Sequence, residues 1–150
     1  MNKKIAGLLG GLAGAITTTI LHEILRRNYS GAPRLDKLGE EALDKTVAKI
    51  GGNHIPAEKQ YPAAMAADLV SNTLYYSAAA FKPASAVLTG TILGATAGIG
   101  AVNLPGRMGL NRSTTAATSN RKLLTIGLYT IGGIVAGLVA KRLAGNGVTA

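Results

Sequence analysis

Asp68, Asn72, Tyr75 and Ala79 stand three or four residues apart, so on a helix they share one face. The stretch around them, 61–81, is Ala-rich and otherwise mostly apolar, which would put the Asp68 carboxyl at membrane depth. An acid there is a functional-site candidate, because leaving water is costly unless a partner, a proton or a water molecule offsets the charge. The groups best suited to answer it are the run Thr17, Thr18, Thr19 and His22, with Thr18 and His22 four apart on one helical face. Thr18, His22, Asp68, Asn72 and Tyr75 thus form a candidate polar cluster. Two chemistries fit it: a proton- or cation-coupled pathway, or a hydrogen-bond clasp that fixes helix order.

Other chemistries find little support. His22 and Glu23 begin like a zinc-binding His-Glu-x-x-His helix, but Arg26 stands where the second His belongs, and Arg cannot ligate a metal. Glu23 with Arg26 or Arg27 reads instead as an ion pair. His54 is a loop histidine, and with two His and no Cys in the chain neither haem ligation nor thiolate chemistry is indicated. No nucleophile triad can be assembled. The 105–113 connection carries Arg107 and Arg112 but lacks the Lys and strand context of a phosphate loop, so it reads as a solvated loop. No metal, no cofactor and no enzymatic activity are expected.

The elements that must position the cluster follow from charge distribution. Charged residues are 15% of the 150, against roughly 25% in a soluble domain, and none falls between Pro83 and Gly106 or between Leu123 and Ala140. The net charge of +9 would raise nucleic acid as a partner, but the basic residues bracket apolar runs, as at Lys3-Lys4, Arg26-Arg27, Arg121-Lys122 and Lys141-Arg142. The chain is therefore read as one all-α membrane domain with spans at about 5–25, 61–81, 84–104 and 123–140, each close to the roughly 20 residues a bilayer requires. The first is read as a retained span rather than a secretory signal, since its apolar run continues to Leu25. The second is the weakest because of Asp68, leaving a three-span alternative. Lys82-Pro83 is so short a link that the second and third spans should be adjacent antiparallel neighbours.

Between the first two spans, residues 34–50 carry Leu35, Leu38, Ala42, Leu43, Val47 and Ile50 at helical spacing, predicting an amphipathic helix outside the membrane. Its four acids suit anionic lipid poorly, so it is expected to cap the bundle. Lys and Arg are concentrated in the 26–59 and 107–122 connections, which places these on the cytoplasmic side and the termini opposite.

The most specific pattern is small residues four apart: Gly7 with Gly11, Gly10 with Gly14, Gly90 with Gly94 and Gly98, and Gly133 with Gly137. Such a glycine zipper lets helix backbones approach closely in lipid, where no hydrophobic force draws helices together. Packing inside one bundle and assembly into an oligomeric pore both use it.

A glycine-rich first span, a long charged first loop with an amphipathic helix, and three later apolar spans together resemble the uncharacterised bacterial inner-membrane proteins typified by YagU. The resemblance implies a bacterial cytoplasmic membrane and supplies no mechanism. The expected function is a non-enzymatic packing or assembly component, or alternatively a small transporter or channel subunit using Asp68. The expected partners are the lipid bilayer and either a second copy or another membrane protein.

Overall fold

Asn2 opens the first helix by accepting a hydrogen bond from the Lys4 amide at 2.9 Å, and Arg26 and Arg27 in its last turn complement the negative end of the helix dipole. The computed structural model describes residues 1–145. These form α1 (Lys3–Asn28), α2 (Leu35–Lys49), α3 (Ala57–Ser77), α4 (Ala86–Arg107), α5 (Ser113–Ala116) and α6 (Ser119–Gly145), with 3-10 turns at Ala78–Phe81 and Pro83–Ser85 between α3 and α4. No strand occurs among the described residues. Three helical stretches are long and apolar enough to cross a membrane: Lys3–Asn28, Pro83–Asn103 and Ser119–Gly145.

The second span, expected at 61–81, is α3 at Ala57–Ser77, four residues earlier at each end, with a 3-10 turn carrying the chain on to Phe81. Two further boundaries differ, and each has a local cause. The third span was expected to stop before Pro105, yet α4 runs through it to Arg107. Proline lacks the amide that would bond the Ala101 carbonyl, and the Thr115 hydroxyl supplies that hydrogen bond instead at 2.7 Å. The helix then closes at Gly109 (φ 73°), with Leu110 N–H donating to Pro105 O at 2.8 Å, the glycine stop motif. α6 begins earlier than expected because Thr118 Oγ1 caps it, accepting from Arg121 N–H at 3.1 Å.

Helix α6 lies between α1 and α4; α3 packs on α1, and α2 packs on α3. Small residues make this possible. On α1, Gly7 and Gly11 meet the backbone of α3 at Ser77 and Thr73, while Gly10 and Gly14 meet α6 at Ala136 and Gly132. On α6, Gly132 faces Thr18 of α1 and the adjacent Gly133 faces Gly90 of α4. Gly137 meets Ala86, Gly94 meets Tyr129 and Thr130, and Gly98 meets Ile126. The large apolar side chains point the other way. On α1 the buried face is Ala6, Gly7, Gly10, Gly11, Gly14 and Ala15, while Leu8, Leu12, Ile16, Ile20 and Ile24 are exposed. A helix of a water-soluble protein shows the reverse.

The expected close pairing of α3 and α4 is not found. The two diverge from their short connection and touch little, because each is drawn to a different partner, α3 to α1 and α4 to α6. A groove of about 600 Å³ opens between them, bridged where Tyr75 Oη–H donates to the Leu93 carbonyl at 3.1 Å.

At Gly94 an added Cβ would lie 2.8 Å from Thr130 Cα, so backbone rather than a flexible side chain would have to yield. Gly94→Leu should therefore insert into membranes as well as the parent, since it adds apolar surface. Its purified form should lose at least the about 1–3 kcal/mol typical of overpacking, read as a fall in thermal or detergent stability beside Leu93→Ala. Unchanged stability would mean that this face meets lipid.

Candidate functional site

The last turns of α1 carry His22, and the chain turns sharply after them. Ala32 N–H donates to the Tyr29 carbonyl at 3.1 Å, folding the 29–33 segment back so that His22 Nε2–H donates to the Pro33 carbonyl at 3.1 Å. Arg34 and Asp36 follow at once. The Arg34 guanidinium forks onto Asp36, with Nε–Oδ1 at 2.9 Å and Nη2–Oδ2 at 2.6 Å. The Asp36 side chain is only 3% exposed and His22 6%, with Nε2 and Oδ1 3.8 Å apart. That is beyond hydrogen-bond range but close enough for an ion pair if the ring is protonated. Burial pushes the Asp36 carboxyl up, but the Arg34 hydrogen bonds and charge, helped by the Lys37 amide, outweigh it and hold the group below its usual range.

Asp68 reaches the same place from α3. It accepts from Asn72 Nδ2 at 2.9 Å and lines a cavity of about 30 Å³ between α1, α2 and α3, with Thr18, Thr19, His22 and Asp36. The expected cluster is thereby divided. Thr18, His22 and Asp68 share the cavity, but no hydrogen bond joins them: the Thr18 hydroxyl donates back to Gly14 O at 3.1 Å, and His22 is held by Pro33. Asn72 and Tyr75 instead line the groove between α3 and α4. The Asp68–Asn72 hydrogen bond is the link between the two spaces.

Two contributors, Asp36 and Tyr76, escaped the sequence reading, and a third, Thr19, was named there only as one of a run. Asp36 was noted only as one of the four acids of the 34–50 helix, and with Glu40 it forms the inward side of α2. A signal was present, since Asp36, Glu40, Leu43 and Val47 continue one another at helical spacing. Thr19 belongs to the run that was noted, but its hydroxyl oxygen alone is fully enclosed without a hydrogen-bond partner among the described side chains. Tyr76 is fully buried next to the α1–α6 contact and donates to the Tyr129 carbonyl at 2.8 Å.

At the far end of α2, ionic contacts tie down the loops. Glu41 pairs with Lys45 at 2.7 Å, Lys45 Nζ also donates to Gly109 O at 2.5 Å, and Glu41 accepts from the Asn111 amide at 2.9 Å. The connection after α4, expected to be a solvated loop, is largely exposed and is also held by α2 through these contacts. His54 Nδ1 lies 2.6 Å from Asp44 Oδ2, and the Ile55 amide donates to Asp44 Oδ1 at 2.7 Å. On α1, Glu23 pairs with Arg26 at 2.6 Å and Arg27 at 2.7 Å. Among the described residues no group of three His or acidic side chains gathers closely enough to hold a metal ion. Comparison with known proteins adds no relative: no family model, no curated protein and no solved structure matches the chain.

The carboxyls of α2 give a pH dependence. Lys45 and the Asn111 amide hold Glu41 below its ordinary 4.5, and His54 and the Ile55 amide hold Asp44 below 3.8. Depressed folded-state values mean stability fully present above the unfolded values and lost as pH falls through the folded ones. Protection of the amides of α2 and the 105–113 loop, taken relative to their intrinsic exchange rates, should hold on descending to about pH 5, then fall at more acid pH before that of α1, α4 and α6. Protection that falls in all helices together would remove the α2 clamp as the acid-labile element.

Proposed function

We propose that the chain is a four-span integral membrane protein, built as a glycine-zipper bundle, that works as a non-enzymatic packing or assembly component. The observation that carries this reading is the inverted packing: glycine and alanine face inward along α1, α4 and α6, while the leucines and isoleucines of α1 and α4, and Leu123, Ile131 and Leu138 of α6, lie toward the outside, with Leu128 the buried exception. Such a surface suits hydrocarbon or the flank of another membrane helix. α3 serves as the fourth span. At 21 residues it is about 30 Å long, and Asp68, the charge that most opposes insertion, is turned into the cavity beneath α1 and α2 instead of toward lipid. α2 acts as the extramembrane cap. The partners are the bilayer and a second copy or another membrane protein, with no role for nucleic acid or a cofactor, and the setting is a bacterial cytoplasmic membrane.

A second reading, a small transporter or channel subunit, is favoured by one feature: Asp68, His22 and Thr18 meet at a common cavity lined by buried polar groups. The two readings separate on Asp68→Asn. An assembly component should keep its assembled amount and its stability, because the amide preserves hydrogen bonding and removes a costly charge. A coupled pathway should lose transport while its assembled amount is unchanged.

The span count is tested by accessibility labelling of single cysteines at Asn2, Asn53 and Ser113. Four spans require Asn53 and Ser113 to label from one side and Asn2 from the other. Asn53 and Ser113 labelling from opposite sides would mean that α3 does not cross.

A further inference from the structure

The cavity between α1, α2 and α3 gathers more polar chemistry than packing requires. Asp36 is neutralised by the fork of Arg34. Asp68 is not: it receives a hydrogen bond from Asn72, and none of the ion pairs among the described residues includes it. The enclosed Thr19 hydroxyl, with no partner, lines the same space. At about 30 Å³ the cavity has the volume share of one water molecule, and it offers such a molecule several polar partners. Because His22 Nε2 donates its proton to Pro33, the neutral ring carries a bare Nδ1.

We propose that this cavity is a proton-binding site, in which one proton is exchanged between Asp68 and the His22–Asp36 pair through a water molecule held by Thr19. The proposal goes beyond the assembly reading, rests on the polar cavity itself, and stands whether or not the chain moves protons across the membrane. In the exchange, the Asp68 O–H bond breaks and its proton passes to the water, while a water proton passes to His22 Nδ1. The water is regenerated, Asp68 becomes a carboxylate, and the imidazolium lies beside the Asp36 carboxylate.

The charged and titratable neighbours are compatible with this. Facing His22 are Asp36, Glu23 and Arg26, of which Glu23 and Arg26 already neutralise each other. Around Asp68 are Asp36 and His22 across the cavity, Tyr61 on its own helix, and Tyr76 and Tyr129 near enough to sense its charge. Tyr76 commits its hydrogen to the Tyr129 carbonyl, which leaves Asp68 and His22 as the exchanging pair.

The test is infrared difference spectroscopy of the purified full chain in phosphatidylcholine nanodiscs, following the protonated-carboxyl band through a pH titration. A band abolished in Asp68→Asn, with a midpoint moved by about one unit or more in His22→Gln, the size a lost charged neighbour produces, supports the site. Thr19→Val keeps the side-chain shape and removes the hydroxyl, and it should move the same midpoint even if Asp68→Asn fails to assemble. A band that persists in Asp68→Asn, or a midpoint unmoved by both His22→Gln and Thr19→Val, overturns the site. Proton flux into proteoliposomes separates the two readings: a coupled titration without flux keeps the site and removes transport, whereas an unmoved midpoint removes the site whatever the flux.

Discussion

Helices surrounded by hydrocarbon gain little by hiding leucine from it, so what holds them together must be close contact between backbones and the hydrogen bonds made there. In this chain that constraint falls on α6, which has neighbours on both sides. Gly132 and Gly133 are consecutive, yet one faces α1 and the other α4, because successive residues on a helix point about 100° apart. Neither helix could be moved outward without giving up the short-range dispersion contacts that only near approach allows. The outward leucines and isoleucines of α1 and α4 follow from the same arrangement, since an inner face filled with glycine leaves the bulky residues only the outer one.

The polar groups sit where that close packing ends. α1 is drawn against α6 by Gly10 and Gly14, and Thr18 still faces Gly132 there, but one turn further on His22 lines the cavity that α2 covers. Asp36 and Arg34 lie at that cover, so an exposed guanidinium balances a buried carboxylate at the edge of the apolar region. Such a pair gains from the partial burial of its acid while its base stays hydrated, which limits the desolvation cost that burying both would impose.

Much of the helical layout was legible in the residues themselves. Charge-free intervals and the basic pairs beside them marked α4 and α6, and the spacing of Leu35, Leu38, Ala42, Leu43 and Val47 marked α2. The partners of each face were not legible. Four-residue spacing puts Gly90, Gly94 and Gly98 on one side of a helix, but it does not say which helix that side meets. Asp36 was hidden for a related reason: in a helix rich in acids, composition cannot tell the one carboxylate turned inward from those in water. The polar cluster was misjudged because three-or-four spacing aligns Asp68, Asn72 and Tyr75 along α3, whereas α3 separates two different spaces and its residues divide between them.

The proline in α4 brings time into the architecture. The Ala101 carbonyl, deprived of its usual donor by Pro105, is satisfied by Thr115, and the Thr115 carbonyl in turn accepts from the Thr125 hydroxyl at 3.1 Å. During synthesis these donors emerge only after the helix they complete. Until the ribosome has added Thr115, the end of α4 lacks the hydroxyl that completes it, so its final turn is finished from downstream, by the short helix that leads into α6.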